Sequence, residues 1–254
     1  MEGLMKGKHK LVMVLLFVAS SSYGQQSAQV SIALNEQGVA RVRSGDYTAA
    51  VDLFRRAVAQ NPNFAVAYNN LGAAYNALGR SEEAIEVLQT ALKIQPDYAE
   101  AHYDLGVAYN NSGRNREAVA AYRRSLHFKP DFFQAQNRLG VAYSDWGKHN
   151  EAMRAYREAI RLKPDYAEAF NNLGTAQAEA GKYTKAVESF RQAIGLKPEL
   201  AIAHYNLGIV SLLARNRMAA LEEYKLLTTL APPAAEKLYA GIYQGKLLSV
   251  TPIR

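Results

Sequence analysis

The chain has 254 residues, 49% of them hydrophobic and 21% charged. That composition supports one large or two ordinary folded domains and excludes a disordered chain. It contains no cysteine, which excludes a disulfide framework, a zinc-thiolate site and a thiol nucleophile. The net charge of +7 favours acidic partners or anionic surfaces, although a surplus this small also suits an ordinary solvated exterior.

The first segment differs from everything after it. Lys6, Lys8, His9 and Lys10 precede an unbroken apolar run from Leu11 to Ala19, and small or polar residues follow. This is the layout of a signal peptide. The run is about half the ~20 residues that a membrane-spanning helix needs, so residues 1–24 are expected to be cleaved after Gly24. The mature chain is then exported, periplasmic or secreted; an uncleaved membrane anchor is the second choice. Residues 25–30 are assigned as a short linker.

From residue 31 the chain comes into register with itself every 34 residues, giving units 31–64, 65–98, 99–132, 133–166, 167–200 and 201–234. Three columns are unbroken. Glycine stands at Gly38, Gly72, Gly106, Gly140, Gly174 and Gly208; alanine at Ala50, Ala84, Ala118, Ala152, Ala186 and Ala220; proline at Pro62, Pro96, Pro130, Pro164, Pro198 and Pro232. The glycine and alanine suit a close approach of two helices, where larger side chains overpack the contact. A second glycine, at Gly45, Gly79, Gly113, Gly147 and Gly181, falls where the first helix of each unit must end and the chain reverse in a left-handed residue. Proline then stops the second helix. Four residues after each alanine come Phe54, Leu88, Tyr122, Tyr156, Phe190 and Tyr224, expected to point inward as core. Residues 235–248 read as a capping helix over unit six, and 249–254 as a loose tail.

Nothing in the pattern converges on catalysis. His102 and His204 occupy equivalent places three units apart, and His127 and His149 lack the partner one helical turn away that a metal site would use. No Gly-x-Ser-x-Gly, phosphate loop or His-Glu-x-x-His stands in the chain. No catalytic residue, metal ligand or cofactor is assigned, and an enzymatic role is not expected. Nucleic acid fits poorly as a partner, because no aromatic residues interleave with the basic ones.

The segments YNNLGAAYNALGRSEEAIEVLQTALKIQPDYAEA and FNNLGTAQAEAGKYTKAVESFRQAIGLKPELAIA resemble near-consensus tetratricopeptide repeats, and the likeness runs over residues 31–234. The resemblance implies an all-α fold: a right-handed α-solenoid of six 34-residue helix-turn-helix repeats plus a C-terminal capping helix, the first helices lining a concave groove. It also implies a scaffold for a protein or peptide partner. Residues just before each Leu-Gly pair would face the groove, namely Asn69, Asn70, Tyr103, Asp104, Asn137, Arg138, Asn171, Asn172, Tyr205 and Asn206. Asparagine both donates and accepts, so such a ladder can pair with any extended main chain. The other reading of these asparagines is plain fold consensus. The carboxylate clamp of chaperone-tail-binding repeats is absent, since Asn35 and Val39 stand at its lysine and asparagine positions.

Hydrogen bonds of about 0.5–1.5 kcal/mol each barely offset the cost of ordering a peptide, so useful affinity needs apolar anchors as well. Unit six offers a candidate in Ile202, Tyr205, Ile209, Leu212 and Leu213, unless the capping helix covers them. A separate surface is basic: Arg123, Arg124, Arg154, Arg157 and Arg161 on the second helices of units three and four are possible contacts for an anionic envelope polymer or membrane surface.

Overall fold

A computed structural model describes residues 25–244 and 249–253. Residues 1–24, expected to be a signal peptide, lie outside the described residues, and no helix among the described ones is long and apolar enough to cross a membrane. The described residues form helices and no strands.

Helix α1 covers residues 25–43. The stretch assigned as a linker is therefore helical and continuous with the first repeat, where Ser31 is fully buried and its hydroxyl donates to the Ala57 carbonyl at 2.9 Å. The helices that follow are α2 (Tyr47–Gln60), α3 (Ala65–Ala77), α4 (Ser81–Ile94), α5 (Ala99–Asn111), α6 (Asn115–Phe128), α7 (Phe133–Asp145), α8 (His149–Leu162), α9 (Ala167–Glu179), α10 (Tyr183–Leu196), α11 (Ala201–Leu213), α12 (Arg217–Leu230) and α13 (Pro232–Gln244). They divide between two compact units, one up to Ser112 and one from Gly113. Each is built of antiparallel helix pairs.

The turn inside a pair is set by glycine. Gly45, Gly79, Gly113, Gly147 and Gly181 all take positive φ, between 70° and 78°. The next residue's amide then reaches back to the first helix, as Arg80 does to the Tyr75 carbonyl at 2.9 Å and Lys182 to that of Gln177 at 2.8 Å. Unit six has Arg215 at this position, held at φ 61°. For a side chain bearing a Cβ that conformation costs roughly 1–2 kcal/mol.

The two unbroken columns of small residues have separate jobs. The alanines are completely buried where the helices of a pair meet. The glycines leave sockets for large side chains. A Cβ on Gly38 would lie 2.5 Å from the Phe54 ring, one on Gly72 would lie 2.4 Å from Leu88, and one on Gly174 would lie 2.7 Å from the Phe190 ring. Phe54, Leu88, Tyr122, Tyr156 and Phe190 are accordingly buried.

Unit six breaks the rule. A Cβ on Gly208 would strike Leu238 of α13 at 2.5 Å, and Tyr224, expected in the core, instead tilts against Tyr239 with ring centroids 5.8 Å apart. The capping helix thus supplies the knob that unit six does not use from its own second helix. It also starts earlier than expected. Ala231 leaves the helical region, at φ −156° and ψ 78°, in keeping with the bias of a residue before proline. Pro232 then opens α13 directly, a first-turn place where its missing N–H has no helical partner to lose. Tyr205, Ile209, Leu227, Leu238 and Ile242 form one core cluster with Ile202 and Leu212 against it, so α13 covers most of the apolar patch of unit six. Leu213 stays 48% exposed.

Candidate functional site

Helices α1, α3, α5, α7, α9 and α11 each open a repeat, and within each compact unit asparagines before the repeat glycine bond to the neighbouring repeat. Within the unit ending at Ser112, Asn70 Nδ2 donates to Asn35 Oδ1 at 2.9 Å. In the unit beginning at Gly113, Asn172 Nδ2 donates to Asn137 Oδ1 at 3.2 Å, and Asn206 Nδ2 to Asn171 Oδ1 at 3.0 Å. These bonds span 35 residues, one repeat plus one position, so the second residue of each Asn pair stitches to the first residue of the preceding pair. Asn137, Asn171, Asn172 and Asn206 are all buried.

An asparagine used in this stitch keeps one N–H and its carbonyl oxygen free. On Asn172 and Asn206 both are taken up by the segment 249–253, which the sequence suggested would be loose. Asn206 Oδ1 accepts from the Thr251 amide at 2.8 Å, while its Nδ2 donates to the Thr251 carbonyl at 2.7 Å. Asn172 repeats the clamp on Ile253, accepting its amide at 2.6 Å and donating to its carbonyl at 3.0 Å. Thr175 Oγ1 and Asn171 Nδ2 add longer contacts to the Thr251 carbonyl, at 3.4 and 3.5 Å. The two clamped residues are two apart, the period at which an extended chain presents the same edge. The skipped residue is Pro252, which has no N–H to satisfy. Val250 packs against two core clusters, one containing Tyr205 and Ile209, the other Leu207, Val210 and Phe190. The segment is tied down by main-chain bonds and one apolar anchor.

The remaining groove candidates do other things. Tyr205 belongs to the core under α13. Tyr103 and Arg138 are half-buried beside the ladder. Asp104 occupies the place that Asn70, Asn172 and Asn206 hold in other repeats; burial pushes its carboxyl up to about 7, against a hydrogen bond from Asn69 that lowers it. A carboxylate has no N–H to give, and Asn69 Oδ1 is left buried without a hydrogen-bond partner. The Asp104 carbonyl accepts from Asn76 Nδ2 at 2.9 Å.

Two histidines serve the frame. His102 Nε2 and His204 Nε2 each lie 2.9 Å from the carbonyl of the preceding repeat's proline, Pro96 and Pro198. His204 also meets Glu223 at 2.6 Å, and that bond raises the imidazole above its ordinary value against the opposing effect of burial. Among the described residues no cluster of three His, Cys, Asp or Glu side chains is placed to hold a metal ion.

The arginines of the basic surface are exposed on α6 and α8. Arg161 is paired with Glu158 at 2.6 Å, which removes part of the charge assigned to this face. Sequence reasoning missed the segment 249–253 as an occupant; Val250, Pro252 and Ile253 were the available signal.

A TPR repeat family model matches residues 38–79, 74–113, 145–181 and 176–212, and a tetratricopeptide repeat model matches 99–132. No curated protein matches the chain in sequence. Among solved structures, PilW, a widely conserved type IV pilus biogenesis factor, is similar with a TM-score of 0.76 and 23% identity, over 84% of this chain and 98% of that one. MamA gives 0.58 at 27% identity, over 63% of this chain and 94% of that one. YrrB, a TPR protein with an unusual peptide-binding site, gives 0.57 at 23% identity, over 72% and 96%. The repeat models cover well over half of the residues and agree with the helix pairs and their sockets: the chain belongs to the tetratricopeptide repeat family.

Proposed function

We propose that the protein is an exported, non-catalytic scaffold that binds an extended segment of a protein partner along the face of α9 and α11. The observation that carries this reading is the pair of asparagine clamps: Asn206 and Asn172 each engage both the N–H and the carbonyl of one residue of an extended chain. A clamp of that kind reads main chain and ignores side chains, which suits capture of a peptide by shape and register. Export rests on the apolar leader of residues 1–24, and the absence of catalysis on histidines bonded into the frame.

The test is capture of a partner from an envelope extract by residues 25–254, comparing the unsubstituted chain with Asn172→Ala/Asn206→Ala and with Asn70→Ala. Asn70 makes the stitch to Asn35 and does not touch the clamped segment 249–253, so its loss is expected to spare binding while the double substitution abolishes it. A partner retained by the double variant would overturn the groove reading.

A further inference from the structure

Segment 249–253 fills both asparagine side-chain clamps with its own main-chain N–H and carbonyl groups, places a proline at the one residue they skip and seats Val250 on apolar core. It runs from Asn206 on α11 to Asn172 on α9, opposite to the order of the repeats along the chain. While it is seated, the spare donors and acceptors of both asparagines are consumed, and no second chain can use them.

We propose that residues 249–253 are an intramolecular ligand of this face. The partner is an extended polypeptide of the same chemistry, an apolar β-branched residue followed by main-chain pairs at alternate positions, which binds by displacing it. The proposal rests on the reading of this face as a peptide site and deepens it by naming the register, the direction and the competitor. Selectivity comes from the anchor, because the clamps themselves accept any residue that presents a free N–H. It also comes from proline, which is tolerated at the skipped position and excluded at the two clamped ones.

The probe is a labelled peptide SVTPIR, matching residues 249–254, titrated by fluorescence anisotropy. The receptors are the unsubstituted chain and Val250→Asp, which sets a carboxylate against the apolar clusters and releases the tail while leaving α9 and α11 intact. The peptide is expected to bind Val250→Asp at least tenfold more tightly than the unsubstituted chain. N-methylation of its Thr and Ile amides, which removes the clamped N–H groups, is expected to weaken binding at least tenfold. Equal affinity for the two receptors, with methylation still harmful, would overturn the competition and leave the groove reading standing. No binding to a folded Val250→Asp chain would sink both. A dimer of the unsubstituted chain that dissolves in Val250→Asp would show the tail seated in a second copy and overturn the intramolecular assignment. Thr251→Pro, which deletes one clamped N–H in the full chain, replaces Val250→Asp if circular dichroism shows that variant unfolded.

Discussion

The rung at Asn69 and Asp104 and the rung at Asn171 and Asn206 occupy equivalent places in their repeats and behave differently. At the second, Asn206 donates one N–H to Asn171 and keeps a donor and an acceptor for the Thr251 main chain. At the first, Asp104 can only accept while ionised; Asn69 Oδ1 goes unpartnered and the carboxyl is driven up to about 7 by burial. A stitch between repeats and a clamp for a peptide are thus the same amide used twice, and an acid, which lacks both N–H groups, can do neither job fully.

The comparison breaks hardest if the late rung is given the early rung's chemistry. Asn206→Asp removes the donors to Asn171 and to the Thr251 carbonyl and buries a carboxylate against two oxygens. A loss of roughly 2–4 kcal/mol is expected in urea denaturation at neutral pH. Part of it should return as the pH falls and the acid regains a proton to donate.

Repairing the early rung is the converse and somewhat smaller change. The folded-state value of Asp104 lies above its ordinary 3.8, so the folded protein holds the proton more tightly than the unfolded one. The contribution of Asp104 to stability is therefore greatest below about pH 4 and is lost as pH rises through about 7. Asp104→Asn supplies an N–H for Asn69 Oδ1 and is expected to flatten that decline, with a gain of roughly 1–3 kcal/mol at pH 8 and little at pH 4. Thermal melts across that range measure both.

The smallest effect separates turn from ladder. Arg215→Gly relieves a left-handed residue in the repeat that carries the Asn206 clamp, at the turn after α11. It is expected to raise stability by about 1 kcal/mol with no change in peptide affinity, measured by the same melts and titration.

Much of this was legible in the chain. The 34-residue period, the glycine turns and the inward column over units one to five follow from spacing alone, because each repeat buries its apolar face on an identical neighbour. The asparagines were legible as a ladder, but sequence left open whether they served the fold or a ligand; the stitch across 35 residues and the clamps show that an amide serves the fold and holds residues 251 and 253 at once. The linker at 25–30 was misread because it carries no repeat signature, although its residues continue a helix.

The end of the array was where local reasoning failed. Tyr224 has the right spacing for a core residue, yet Leu238 takes its socket, because unit six has no following repeat and α13 must close it. Sequence determined what repeats: helix lengths, turn conformations and the sockets, all set by near neighbours along the chain. Tertiary structure alone decided the rest, namely which helix closes unit six and that residues 249–253 lie across α9 and α11. Those contacts join residues 30 to 81 positions apart, where no local period constrains the outcome and only complementary donors, acceptors and apolar surface select it.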